Sequence, residues 1–277
     1  MENGILKEKK GIIFGALDDK SIAWKVAELC QKEGAEIVLT NAPIALRMGT
    51  INKLAEITNS IVIPADATNT EDIANLYEKT MDHFGCKIDF VLHSIGMSVN
   101  VRKGKSYYEQ NYDWTQKGMD VSAMSFHKTI KAAWDLDALN EWGSILGLSY
   151  IAAQRVFHSY NDMADNNALL ESIARSFGYH YGLKSKVRIN TISQSPTLTT
   201  AGSGVSGFDG FYKFSDDLSP LGNASAEDCA RYCISLFSDY TRKVTMQNLF
   251  HDGGFSNMGM SEKVMENYMK SEKDKKS

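Results

Sequence analysis

Cysteine is scarce in this sequence of 277 residues, and its spacing fits no cysteine-based scaffold. The four cysteines are Cys30, Cys86, Cys229 and Cys233. They form neither a CxxC pair nor a zinc-ribbon spacing, and four thiols in so long a chain do not make a disulfide framework. We therefore expect buried thiols in a reducing compartment.

Excess positive charge and long apolar runs are missing as well. The 34 acidic side chains outnumber the 30 lysines and arginines, which gives a formal charge of -4. Nothing in that balance favours nucleic acid or an anionic membrane surface. No run of about 18 apolar residues occurs, and the apolar stretch near the N-terminus is too short for a signal peptide. We expect a cytoplasmic protein that binds a small molecule or another protein.

Proline is also rare, with four in the chain, whereas 43% of the residues are hydrophobic. This composition is typical of a globular protein with a large core. No linker, repeat or low-complexity stretch divides the sequence. We predict a single domain spanning residues 1–277.

Seven short, nearly continuous apolar segments are the main indication of the fold. Such segments are typical of strands buried on both faces of a parallel sheet. They begin at Gly11, Glu36, Ser60, Ile88, Gly143, Val187 and Gln247. Segments with helical periodicity lie between them, so the sequence predicts a Rossmann-like, doubly wound α/β domain of about seven strands with helices on both faces.

The helical segments carry recognisable start and stop signals. Ser225 and Asp228 have the spacing of a capping box, and Gly34 and Gly85 follow the ends of two other predicted helices. The residues after Gly259 are strongly polar. We expect about 260–277 to be a tail that frays.

The turn after the first predicted strand reads FGALDDKSIAW. In an open parallel sheet this turn usually receives the phosphates of a nucleotide. Gly15 would let the backbone approach a pyrophosphate, and Ser21 and Ile22 would lie at a helix N-terminus, where free N–H groups favour an anion. The spacing is not GxGxxG, and a glycine turn between strand and helix can also be purely structural.

Two further segments bear on which nucleotide fits. Asp66 and Ala67 follow the third strand, where the carboxylate could accept the amino group of an adenine or simply cap a helix. After the second strand, Asn41 and Ala42 stand where an acidic residue would bind a ribose 2′-hydroxyl, and Arg47 could meet a 2′-phosphate. These residues leave open whether the cofactor is NADH or NADPH.

Several short motifs follow one another in a specific order. They are the glycine turn with Ser21-Ile22-Ala23, Asp66, HSIG at 93–96, Ser149-Tyr150, Tyr160 and HDGGF at 251–255. Together they resemble the enoyl-acyl-carrier-protein reductases, a divergent branch of the short-chain dehydrogenases, over nearly the whole chain. The resemblance implies reduction of the 2,3-double bond of an enoyl thioester with NAD(P)H in fatty-acid synthesis. It also implies a homotetramer that receives its substrate on an acyl carrier protein.

The resemblance also implies roles for individual residues. Tyr160 would direct its hydroxyl at the thioester carbonyl oxygen, with Tyr150 nearby, because a phenol of pKa ~10 can donate a hydrogen bond to a developing enolate. Ser98 would face the acyl group, and residues 197–215 would form a lid over it. Further residues implied to contact the cofactor are Ile95, Pro196, Thr197, Thr199 and Ala201. Without the resemblance, two tyrosines here would read as core aromatics.

One residue departs from the family pattern. The family places a lysine seven residues after the second tyrosine, on the same helix face, and this sequence has Asn167 there. The other common register, four residues after the tyrosine, holds Ala164. An amide keeps some hydrogen-bonding capacity for the nicotinamide ribose but supplies no charge beside the tyrosine. We expect weaker cofactor binding and attenuated catalysis.

Alternative functions remain open at this stage. A carbonyl-reducing short-chain dehydrogenase and a non-catalytic dinucleotide-binding protein fit the same fold. The six histidines show no HxxxH or HExxH spacing, so we expect no metal. The basic segment with Arg102, Lys103 and Lys105 could meet an acidic carrier protein or be an ordinary solvated loop.

Overall fold

The computed structural model describes residues 4–48, 50–200, 202 and 207–275. Its sheet contains β1 (Lys10–Phe14), β2 (Glu36–Thr40), β3 (Ile61–Val62), β4 (Ile88–His93), β5 (Leu139–Ser149), β6 (Arg188–Gln194) and β7 (Asn248–His251). The strands lie in the order β3-β2-β1-β4-β5-β6-β7, and every neighbouring pair is parallel. The predicted doubly wound sheet of about seven strands is confirmed.

This strand order opens a crevice near the centre of the sheet. The chain runs outward from β1 to β3 and then crosses back to place β4 on the other side of β1. In β1, Phe14 is in register with Thr40 of β2 and with His93 of β4. The connections leaving the carboxyl ends of β1 and β4 therefore turn away from each other, and ligands bind in the gap that such a switch point leaves.

Helices connect successive strands. They are α1 (Ile22–Lys32), α2 (Pro43–Met48), α3 (Ile51–Thr58), α4 (Thr70–Phe84), α5 (Val99–Arg102), α6 (Tyr112–Met119), α7 (Ser125–Asp135), α8 (Asn161–Ser185), α9 (Phe208–Leu218), α10 (Ala226–Phe237) and α11 (Glu262–Asp274). The capping box predicted from Ser225 and Asp228 is present at the start of α10. Among the described residues, no helix is both long and apolar enough to span a bilayer.

Two hydrophobic layers cover the sheet, one on each face. In β1, Ile12 and Phe14 belong to the layer that contains residues of α4, α7 and α8, whereas Ile13 belongs to the layer formed with α1, α3 and α10. This alternation follows from the two-residue period of a strand. Because both faces are covered, the strands need apolar residues at nearly every position, which explains their continuous apolar sequence.

Two expectations differ from the structure. The segment after Gly259 does not simply fray, because α11 is helical from Glu262 to Asp274 and Ser261 caps it by accepting a hydrogen bond from the amide of Val264. Cys86 is exposed rather than buried, whereas the other three thiols lie in the core; all four cysteines are free. Cys86 follows Gly85, the residue that ends α4, and lies at the surface.

Candidate active site

A cleft of about 420 Å³ lies at the carboxyl ends of the central strands. The predicted site residues that line it are Gly15, Ser21, Ile22, Ile95, Ser98, Tyr150, Tyr160, Asn167 and Thr199. An adjoining cavity of about 170 Å³ shares both tyrosines and adds Pro196, Thr197, Phe208 and Phe211. Folding thus brings together residues that are up to about 200 positions apart in the chain, which is what a binding site at the switch point requires.

The glycine turn forms one end of the cleft. Gly15 has φ +92°, and a Cβ atom built there would lie 2.0 Å from the carbonyl oxygen of Ser94. The position therefore admits only glycine without backbone movement. Ser21 caps α1 by accepting a hydrogen bond from the amide of Trp24, and no acidic residue lies in the first turn of the helix. Asp18, in the turn before the cap, lines the cleft, but the first turn of α1 itself carries no carboxylate, and its free N–H groups fit the pyrophosphate of a dinucleotide.

The two tyrosines meet at the other end of the cleft. Tyr150 follows β5 directly and Tyr160 precedes α8, and their ring centroids are 5.2 Å apart. Phe157 and Phe211 lie against the ring of Tyr150, at 5.2 Å and 5.7 Å between centroids. Asn161, which follows Tyr160, has φ +39° and donates its side-chain amide to the carbonyl oxygen of Lys105. This backbone turn fixes the direction of Tyr160 relative to the cleft.

Burial keeps both phenols protonated at neutral pH. It raises the pKa of Tyr160 to about 12, and the side chain of Asn167 opposes part of that rise. The pKa of Tyr150 is raised as well, first by burial and then by the neighbouring phenol of Tyr160 and the carboxylate of Asp252. Both hydroxyls are therefore hydrogen-bond donors at pH 7, and a proton donor is what an oxygen acquiring negative charge needs.

Asn167 and Tyr150 carry the polar atoms that best indicate a missing ligand. Within the described residues, Nδ2 of Asn167 and the hydroxyl of Tyr150 are buried without a hydrogen-bond partner. Both side chains line the cleft. Buried polar groups are nearly always paired in native proteins, so these two fit a ligand that supplies polar partners. The glycine turn and these two atoms together are compatible with a nicotinamide dinucleotide and a polar substrate.

A buried carboxyl group supports the end of β5. Ser149 donates a hydrogen bond of 2.7 Å to Glu171, and Gln154 donates another of 3.2 Å to the same side chain. Burial raises the pKa of Glu171, while Ser149, Gln154 and the positive charge of Arg175 oppose the rise. Glu171 lies one helical turn beyond Asn167, so α8 presents both residues on one face toward β5. Sequence reasoning missed Glu171, although its i, i+4 spacing from Asn167 was a usable signal.

A second buried network was also missed. Asp162 is fully buried and accepts hydrogen bonds from Ser98 Oγ at 2.6 Å and from Asn100 Nδ2 at 2.9 Å. Ser98 also caps α5 by accepting from the amide of Val101. The Ser98 hydroxyl therefore already forms two hydrogen bonds within the protein, and its contact with an acyl group stays a prediction. No local pattern could have paired Ser98 with a carboxylate 64 residues away.

Three predicted cofactor contacts are not placed in the cleft. Asp66 and Ala67 are absent from the residues that line either cavity, and Asp66 Oδ1 accepts hydrogen bonds from the amide and hydroxyl of Thr68 at 2.9 Å and 2.7 Å. Their role at the adenine end therefore stays a prediction. Ala201 lies outside the described residues. Arg47 is exposed on α2 and does not line either cavity, whereas Asn41 does line the main cleft.

The fold and the site together define a class of protein. A doubly wound parallel sheet with a glycine turn after β1 and a tyrosine at the start of the long helix after β5 is the arrangement of short-chain dehydrogenase-type oxidoreductases. In the part of the chain that the structure describes, no group of three or more histidine, cysteine or acidic side chains is arranged to hold a metal ion.

The chain belongs to the enoyl-acyl-carrier-protein reductase family: the family model described as "Enoyl-(Acyl carrier protein) reductase" matches residues 15–256. The sequence is 31% identical to an NADH-dependent enoyl-[acyl-carrier-protein] reductase of Rhizobium meliloti over 92% of this chain and 94% of that protein. It is also 31% identical to the corresponding reductase of Rickettsia bellii over 95% of this chain and 100% of that protein. Among solved structures, the FabI–NADH complex from Alistipes finegoldii shares 65% identity and a TM-score of 0.93 over 94% of this chain and 92% of the other.

Proposed function

We infer that this protein is an NADH-dependent enoyl-acyl-carrier-protein reductase of fatty-acid synthesis. The observation that carries this conclusion is the meeting of Tyr150 and Tyr160, with centroids 5.2 Å apart, in the cleft that also contains Gly15 and Asn167. The family match over residues 15–256 supports the same reaction. NADH, when bound, supplies the hydride that is transferred to the β-carbon of the enoyl thioester.

The protein's own task is to stabilise the oxygen that becomes negative when hydride arrives. We propose that Tyr160 donates its hydroxyl proton in a hydrogen bond to the thioester carbonyl oxygen. Its pKa of about 12 keeps the phenol protonated at physiological pH, and a buried donor aimed at developing charge is worth more than one in water. Tyr150, whose hydroxyl is buried without a partner among the described residues, is proposed as a second contact to the substrate.

The other end of the cleft is proposed to hold the dinucleotide. Gly15 and the N-terminus of α1 suit the pyrophosphate, because the backbone can come close there and the first turn of the helix carries no acidic residue. Ile95, Thr199 and Asn167 would lie against the nicotinamide and its ribose, and Pro196 and Thr197 would contact the carboxamide end. Asn167 offers a neutral amide where a cation is expected from the family, and we propose that this lowers cofactor affinity and rate.

The substrate is proposed to arrive on an acyl carrier protein. Arg102 lines the cleft and, like Lys103 and Lys105, is exposed, so a basic loop stands at the entrance for an acidic partner. Arg102→Glu with Lys103→Glu should raise the KM for a carrier-bound substrate about tenfold and leave the KM for a small uncharged thioester analogue nearly unchanged. Equal effects on both substrates would contradict this docking surface.

Assembly and location are proposed on the same basis. We propose a homotetramer, supported by the exposed apolar side chains Tyr179 and Leu183 on α8, with sedimentation velocity as the test. A cytoplasmic location agrees with four cysteines that are all free.

The reaction itself is tested by absorbance at 340 nm. With crotonyl thioester as substrate we expect NADH to be consumed in proportion to enzyme. Faster turnover of a 3-keto thioester would indicate a carbonyl reductase instead. Binding of NADH, seen by fluorescence, without consumption by any thioester would indicate a non-catalytic relative.

A further inference from the structure

The C-terminal helix α11 lies outside the residues that the family model matches. The family model ends at residue 256, and α11 runs from Glu262 to Asp274. It contacts α9 (Phe208–Leu218), the helix at the end of the segment predicted to cover the acyl chain. The catalytic residues described above do not explain the role of this helix.

A single carboxylate joins the two helices. Asp217, in the last turn of α9, is buried. Its Oδ1 forms an ion pair of 2.6 Å with Lys263, and its Oδ2 accepts a hydrogen bond of 2.9 Å from Asn267. Lys213, on α9 itself, approaches Oδ2 at 3.3 Å. The ion pair with Lys263 is the largest cause that holds the pKa of Asp217 below its ordinary value.

The start of α11 is tied to the same point of α9. Ser261 caps α11 and donates its hydroxyl to the main-chain carbonyl oxygen of Asp217 at 2.9 Å. Both lysines that pair with Asp217 are largely exposed, so charge attraction alone would contribute little. The hydrogen bonds from Ser261 and Asn267, together with the ion pairs, fix the position of the helix more firmly than any one contact would.

An apolar contact extends this connection to the active site. Val264 of α11 packs against the cluster that contains Tyr150, Leu218 and Phe255. Phe211 of α9 packs on the same cluster, and both Phe208 and Phe211 line the cavity next to the tyrosines. The position of α9 therefore sets where the aromatic wall of that cavity stands relative to Tyr150.

We propose that α11 is a brace that holds α9 against the active site, with Asp217, Lys263 and Asn267 as positioning residues for the aromatic wall that contacts the acyl chain. The proposal rests on the proposed function in one respect, namely that an acyl chain occupies the cavity beside Phe208 and Phe211. Releasing the brace should affect long acyl chains, which reach that wall, more than the four-carbon crotonyl group, which ends near the tyrosines.

The test combines substrate-free exchange with kinetics. In Lys263→Met with Asn267→Ala, amide hydrogen exchange in residues 208–218 should rise about fivefold while exchange in α10 stays unchanged. The KM for a twelve-carbon enoyl thioester should rise about fivefold, and kcat for crotonyl thioester should stay within about twofold. Lys275→Met is the matched control, because it removes a lysine at the end of the same helix whose ion pair, among the described residues, is with Glu272 and not with α9.

Different results would contradict the role of α11 as a brace and the proposed reductase function. Unchanged exchange in residues 208–218, or an equal rise in KM for short and long substrates, would overturn the brace. If no thioester is reduced at all, the proposed function fails, but the exchange experiment still decides whether α11 holds α9. If the double variant folds poorly, Asp217→Asn serves as a second variant that alters the same contact from α9. It should also increase amide exchange in residues 208–218 and raise the KM for the twelve-carbon substrate.

Discussion

Restoring a lysine at position 167 is the sharpest test of the active-site interpretation. Asn167 is 4% exposed, lines the cleft, and its side chain acts on the pKa of Tyr160. A unit positive charge about 5 Å from the phenol oxygen at an effective dielectric near 20 would stabilise the phenolate by roughly 3 kcal/mol. That equals about 2 pKa units. The Tyr160 pKa would fall from about 12 to roughly 10.

The desolvation of a lysine at so buried a position reduces the gain. We therefore expect Asn167→Lys to raise kcat/KM for crotonyl thioester at least about tenfold, corresponding to ~1.4 kcal/mol, with tighter NADH binding. The pH profile provides an independent readout. Because deprotonation of Tyr160 removes the hydrogen-bond donor, the rate should decline near pH ~10 in the variant and show no such decline below that pH in the unaltered protein.

Asn167→Met is the matched control, since methionine has nearly the length of lysine without its charge. It should leave the pH profile unchanged and should not raise the rate. If the methionine and lysine variants behave alike, side-chain volume rather than charge matters at this position. If both variants reduce crotonyl thioester at the same rate as the unaltered protein, residue 167 does not act on Tyr160 as proposed.

Three further predictions concern the donor, the glycine turn and acid stability. Tyr160→Phe should lower kcat/KM by about 10² to 10³ with little change in NADH affinity, and Tyr150→Phe by about tenfold or less; the reverse order would exchange their roles. Gly15→Ala should weaken NADH binding, measured by calorimetry, at least about tenfold, because the added Cβ would lie 2.0 Å from a carbonyl oxygen. Gly182→Ala is the control and should leave NADH binding unchanged, because the added Cβ would lie in open space. Burial lowers the pKa of His93 from 6.5 to about 3, so between these pH values the imidazole is protonated in the unfolded chain and neutral in the folded protein. The free energy of unfolding should therefore fall as pH drops from 6.5 toward 3, by roughly 1.4 kcal/mol per pH unit. His93→Gln should remove that contribution in urea unfolding across the pH range, and an unchanged difference between the two proteins at every pH would contradict it.

The neutral state of His93 follows from its hydrogen bonds. Ser125 donates its hydroxyl to the carbonyl oxygen of Val121 at 2.7 Å. It must then accept from Nε2 of His93, which lies 2.7 Å away. Within the described residues, Nδ1 has no partner, so a second proton there would be buried and unpaired. A charged imidazole is thus costly at the end of β4, next to the cleft.

The sequence by itself determined the main elements and the edge of the sheet on which the candidate site lies. Seven continuous apolar segments predicted the seven strands, because a strand covered on both faces has few positions where a polar residue is tolerated. The capping pair Ser225 and Asp228 marked a helix start, since capping depends only on residues three apart. The glycine at position 15 and the two tyrosines could be assigned to one edge of the sheet, because parallel strands end together.

Only the tertiary structure decided which groups meet and which are already occupied. Ser98 donates a hydrogen bond to Asp162, and Ser149 donates one to Glu171. One carboxylate oxygen of Asp66 accepts a hydrogen bond from Thr68. The polar segment after Gly259 looked like a free tail, yet Asp217, which lies 50 residues before Asn267, and the apolar cluster around Tyr150 give it a surface to fold on. Contacts between residues so far apart in the sequence depend on how whole helices and strands pack. Periodicity, helix caps and turns depend on neighbouring residues and can therefore be predicted from the sequence.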